Sequence, residues 1–141
     1  MNLCVSQINN NHVDEGVKGL YRLDYELPNN LNVQRALGWG LMMQKNIKQA
    51  IGTYHRLLSS ENVIDSDYLN AGYAYWFNKE YTQAIQYFVK YLSNSQDTDD
   101  ASTQLSNAFE NDLSLIQLNG ISRVERLIMQ DAIVMSYEKN G

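Results

Sequence analysis

This chain of 141 residues is expected to fold as an all-α array of antiparallel helix pairs, and three observations carry that expectation. Matching residues recur 34 positions apart: Gly38 and Gly72, Ala50 and Ala84, Tyr54 and Phe88. A repeat of that length is one helix-turn-helix unit. Elsewhere apolar residues step by three and four, as in Val13, Val17, Leu20, Leu23 and Leu27, which is the spacing of one helix face. Pro28 is the only proline, so long helices meet no other obligate breaker.

Taken in order, Val13 to Leu27 predicts an amphipathic helix ending at Pro28, entered from a turn at Asn9-Asn10-Asn11 and His12. Asp14 and Glu15 suit the positive end of its dipole. Carried backward, the 34-residue frame puts Gly16 at the Ala50 position and Leu20 at the Tyr54 position. Residues 1–30 are therefore expected to form a degenerate first repeat, with a short helix around Leu3 to Ile8. Two full copies follow, 31–64 and 65–98, each breaking between its helices, at Lys45-Asn46 and at Asn78-Lys79. Asp65 and Ser66 are the cap candidates for a helix running to Phe77. The closing helix, Glu80 to Leu92, shows Tyr81, Ala84, Ile85, Phe88 and Leu92 on one side.

Ser93 to Asp100 is polar and reads as a loop with an acidic helix start. A helix bearing Leu105, Ala108, Phe109, Leu113 and Ile116 should then run to Asn119-Gly120, where glycine can take a left-handed cap. Leu118 stands where the frame expects alanine, so the repeat is lost here. Ser122 and Glu125 have capping-box spacing before a last helix with Val124, Leu127, Ile128, Ala132, Ile133 and Met135 apolar. Residues 99–141 are expected to be capping helices, because an array of helix pairs leaves its end pair uncovered.

The residues at fixed offsets, Gln34, Leu37, Gly38, Leu41, Ala50 and Tyr54 in one copy and Tyr68, Ala71, Gly72, Tyr75, Ala84 and Phe88 in the next, resemble the tetratricopeptide repeat, TPR, with its pattern W-x2-L-G-x2-Y, then A-x3-F, then P. Pro28 falls on the P position of the degenerate copy. The small residues have a physical purpose: paired helices approach closely only where one side lacks bulk, and large rings fill the groove. The resemblance implies a short right-handed superhelix, a TPR-like α-solenoid, whose first helices line a concave wall. The groove positions map to Asn32, Arg35, Trp39, Met42 and Met43, and to Ser66, Leu69, Tyr73, Trp76 and Phe77.

Composition bounds the job. A net charge of −5 without clustered Lys and Arg argues against nucleic acid as a partner. The charge is uneven: residues 1–60 carry six basic and four acidic groups, 61–100 two basic and seven acidic, which locates the acidic surface in the second copy. Cys4, the single cysteine, cannot form an internal disulfide and suits a reducing, cytoplasmic setting. No signal peptide and no membrane span is read. His12 and His55 have no Cys or carboxylate at ligand spacing, so both are expected at the surface without a metal. No phosphate-binding, nucleophile-elbow or zinc-protease motif occurs, and Asp97, Asp99 and Asp100 lack the glycine and distal Glu of a calcium loop. No cofactor and no enzymatic activity are expected.

The expected function is non-catalytic binding of a protein or peptide by a scaffold, adaptor or chaperone. Arg35, Trp39, Met42, Met43, Leu69, Tyr73, Trp76 and Phe77 would form an apolar wall of aromatic and Met side chains that adapt to a partner. An aromatic stripe at helical spacing serves equally as buried core, or as a homodimer contact, and the exposure of Trp39 and Trp76 discriminates. In some relatives a Lys, Arg and Asn clamp holds acidic chaperone tails. Arg35 and Asn70 fall on clamp positions, but Trp39 and Ser66 replace its Asn and Lys, so that mode is not expected. The apolar wall is closer to the small repeat chaperones of bacterial secretion, in groove chemistry only.

Overall fold

The computed structural model describes residues 4, 5 and 12–140. Among them every regular element is helical: α1 Val13–Glu26, α2 Leu31–Met43, α3 Ile47–Leu58, α4 Asp65–Phe77, α5 Tyr81–Asn94, α6 Ala101–Asn111, α7 Leu113–Leu118 and α8 Arg123–Asn140. The short helix expected around Leu3 to Ile8 lies outside the described residues except for Cys4 and Val5, which are helical. The chain divides into two compact units, Met1–Val63 and Ile64–Gly141.

In the first unit α1 packs on α2, and α2 on α3. The α2–α3 hairpin closes on one contact. A Cβ added at Gly38 would lie 2.7 Å from Tyr54 Cζ, so only glycine lets the buried Tyr54 ring reach the α2 backbone. The side chain of Asn30 caps α2, accepting from the Val33 N–H at 3.1 Å. Buried Gln34 reaches back one turn, its Nε2 donating to the Pro28 carbonyl at 2.8 Å. Between α1 and α3, the Arg56 guanidinium meets the buried Asp24 carboxylate at 2.7 Å.

The second unit repeats the device. α4 packs on α5, and a Cβ at Gly72 would sit 2.8 Å from Phe88 Cε1. α5 and α6 both pack against α8, and α7 touches α6. α6 opens as α2 does: Asp100 accepts from the Thr103 N–H at 2.8 Å, and Gln104 Nε2 donates back to the Asp99 carbonyl at 2.7 Å.

The breaks at Lys45-Asn46 and Asn78-Lys79 have a shared geometry. Lys45 and Lys79 both adopt φ 63°. After α2 the Asn46 N–H donates to the Leu41 carbonyl and the Lys45 N–H to Met42; after α4 Glu80 donates to Tyr75 and Lys79 to Trp76. This is the Schellman closure, made with lysine where glycine is usual. Gly120, φ 80°, makes the same closure after α7, as its sequence position foretold.

Two boundaries differ from expectation. The cap of α4 is Ile64, not Asp65 or Ser66; Asp67, three residues on, accepts from the Ile64 N–H at 3.0 Å. The helix expected to run from Leu105 to Leu118 divides at Asp112, whose backbone leaves the helical range at φ −107°, ψ 19°. There its carboxylate accepts the Tyr73 hydroxyl at 2.7 Å.

Candidate functional site

The wall residues expected from the repeat frame separate by burial. On α2, Arg35, Trp39 and Met43 are half-buried along one side while Met42 is fully buried. Arg35 is held on the surface, its Nη1 donating to Asn32 Oδ1 at 3.1 Å and its Nη2 to the Asn62 carbonyl at 3.2 Å. On α4, Leu69, Tyr73 and Trp76 are buried and Phe77 is half-buried. The reason is a ring cluster that the repeat frame does not contain. Tyr73 stacks on Phe77 at 6.0 Å, Trp76 lies 5.4 Å from Phe109, and Phe88 meets Phe109 edge-on at 5.7 Å. Phe109, from α6, turns this side of α4 into core.

At the margin of this cluster the buried Tyr73 hydroxyl donates to the half-buried Asp112. Burial pushes the Tyr73 phenol well above its usual range, and the neighbouring Asp112 charge adds to this. Burial also raises the Asp112 carboxyl, and the hydrogen bond from Tyr73 offsets that in part. The pair ties α4 to the α6–α7 junction.

The surface that sequence reasoning missed is on α8. Met129 and Ile133 turn inward and are buried, while Val124 (65%), Leu127 (51%), Ile128 (63%) and Met135 (71%) are half or more exposed. At about 100° per residue these four lie within one side of the helix. The signal was present in the sequence, because apolar residues fall on both faces of α8, and a helix apolar all round has more to cover than one neighbour can.

Beside this face opens a cleft of about 250 Å³, lined by Trp76, Tyr81, Ile85, Ile128, Met129 and Ala132, with Glu125 at one edge. It is assembled by α4, α5 and α8. Tyr81, the first residue of α5, is half-exposed, and the buried Trp76 is the member of the ring cluster that lines the cleft. Ser122 sets the start of α8, its Oγ accepting from the Glu125 N–H at 3.2 Å and donating to the Glu125 carboxylate at 3.2 Å.

His12, at the start of α1, and His55, on α3, are exposed. Cys4 is half-buried against α1, where a side chain at Gly19 would strike its sulfur. Among the described residues no three His, Cys, Asp or Glu side chains stand close enough to share a metal ion, and no helix is long and apolar enough to cross a membrane. No family model, no curated protein and no solved structure matches this chain.

Proposed function

We propose that this chain is a non-catalytic, TPR-like recognition module, a short right-handed superhelix of helix pairs acting as scaffold, adaptor or chaperone for a polypeptide segment. The equivalent Gly38–Tyr54 and Gly72–Phe88 contacts support the repeat reading. The observation that carries the function is the exposed apolar side of α8 beside a Trp-edged cleft. Apolar surface of that density on one helix marks an interaction site, and a helix face beside a pocket suits an amphipathic peptide. Arg35, Trp39 and Met43 on α2, with Phe77 on α4, are the wall positions that keep surface for a partner.

Peptides selected from a random display library against the full chain test this reading. The expected result is enrichment of amphipathic sequences whose affinity falls on Ile128→Ser, with circular dichroism unchanged. Failure to enrich any sequence, or binding indifferent to that substitution, would overturn it. The second reading is self-assembly through the same exposed apolar face. It requires a mass that rises with concentration and reverts to monomer on Ile128→Ser.

A further inference from the structure

Resting on the polypeptide-binding reading, we infer that the occupant of the α8 face is a cationic amphipathic segment, which places one large apolar side chain in the cleft and basic side chains over the acidic groups around it.

Three observations carry this. The first is the charge set into the apolar face. Successive residues turn by about 100°, so Asp131 falls between Leu127 and Val124 on the helix surface and Glu138 falls beside it, while Glu125 stands at the cleft edge. All three are exposed, and no ion pair among the described residues neutralises them. Of the three basic groups of α8, Arg123 and Arg126 line a separate hollow with Phe109, Leu127 and Gln130, away from the cleft, and Lys139 stands at the helix end.

The second observation is the field in which the face sits. Residues 64–141 carry eleven acidic and five basic side chains, a net charge of −6, whereas residues 1–63 carry five acidic and six basic. A potential of one sign raises the encounter rate of the opposite charge and repels its own. A second copy fits badly for the same reason. Laying two α8 faces together would bring Asp131 and Glu138 of both copies into one desolvated strip, where unpaired like charges are costly.

The third is size. Covering the exposed parts of four apolar side chains is favourable but too little alone against the loss of freedom on association. A cleft of about 250 Å³ is below the range of drug-sized ligand sites and suits a single Leu or Phe side chain. A buried anchor of that kind supplies what the face lacks.

The test uses the unaltered full chain and reads the fluorescence anisotropy of labelled peptides. Three helical peptides of one apolar pattern are titrated, with Lys, Gln or Glu on the polar side. The expected result is that the Leu/Lys peptide binds at least about tenfold tighter than the Leu/Gln peptide, that salt weakens this preference, and that the Leu/Glu peptide does not bind. Asp131→Asn with Glu138→Gln should abolish the preference and leave Leu/Gln binding intact. Equal binding of all three peptides, each lost on Ile128→Ser, would overturn the charge inference and leave polypeptide recognition standing. Binding of none, or binding unaffected by Ile128→Ser, would overturn both. A concentration-dependent mass abolished by Ile128→Ser would make a second copy the occupant and also overturn the inference.

Discussion

Replacing Gly72 by alanine probes the contact that closes the second unit's hairpin. The added Cβ would lie 2.8, 2.9 and 3.0 Å from Phe88 Cε1, Cδ1 and Cζ, against an optimal carbon–carbon separation of roughly 3.5–4.0 Å. The ring must therefore retreat by a sizeable part of an ångström. It has nowhere to go, because Phe88 is fully buried with Tyr73 at 5.7 Å, Trp76 at 6.1 Å and Phe109 at 5.7 Å between ring centres, and interiors are close-packed. Overpacking of this kind costs about 1–3 kcal/mol. Alanine regains about 1 kcal/mol over glycine in a helix, so Gly72→Ala should destabilise by up to about 2 kcal/mol. Urea unfolding followed by circular dichroism measures this. Phe88→Leu removes the far end of the ring, so Gly72→Ala made in that background should cost little more, a coupling of about 1–2 kcal/mol in a double-mutant cycle. A Gly72→Ala protein as stable as its parent, with no coupling to Phe88, would refute the close-approach reasoning.

Four further outcomes follow from the same structure. Gly52→Ala should stabilise by up to about 1 kcal/mol, since nothing lies within 4 Å of a Cβ there, and the midpoint of urea unfolding checks it. Lys79→Gly should stabilise by about 1 kcal/mol in the same assay, because lysine at φ 63° carries the left-handed penalty that glycine escapes. Arg56→Ala should destabilise by about 1–2 kcal/mol, a value held down by the half-exposed guanidinium; it leaves the Asp24 carboxylate, whose Oδ1 already has no hydrogen-bond partner among the described residues, without its cation. For Asp112, a folded-state pKa above the unfolded one means the native state holds the proton more tightly. Stability should then rise as pH falls from neutral through the raised pKa toward the ordinary carboxylate range. Asp112→Asn should flatten that rise, as read by stability measured across pH.

Much of the architecture was legible because packing at Gly38, Gly72, Ala50 and Ala84 needs small residues at set intervals, and such intervals survive in the sequence. The Schellman turns after α2 and α4 were placed correctly as breaks, but their left-handed residues are lysines, which carry no turn signal of their own. Asp112 was read as part of a continuous helix because its reason for interrupting that helix, the Tyr73 hydroxyl, lies 39 residues away. For Tyr73 and Trp76 the sequence left buried core and open wall as equal alternatives, for a related reason. A repeat frame describes what each helix pair does for itself, and Phe109 belongs to a segment where that frame has already lapsed. The α8 surface went unread because apolar periodicity shows which residues seek cover without showing how many find it.

The two glycine–ring contacts also bear on kinetics. Gly38 and Tyr54 are sixteen residues apart, as are Gly72 and Phe88, so the tightest approach in each hairpin closes a short loop of chain. Short loops are quick to form and lose little entropy in closing. Each hairpin can thus assemble from its own stretch of polypeptide before distant segments arrive, and refolding should be governed by events within a few dozen residues rather than by a search across the whole chain.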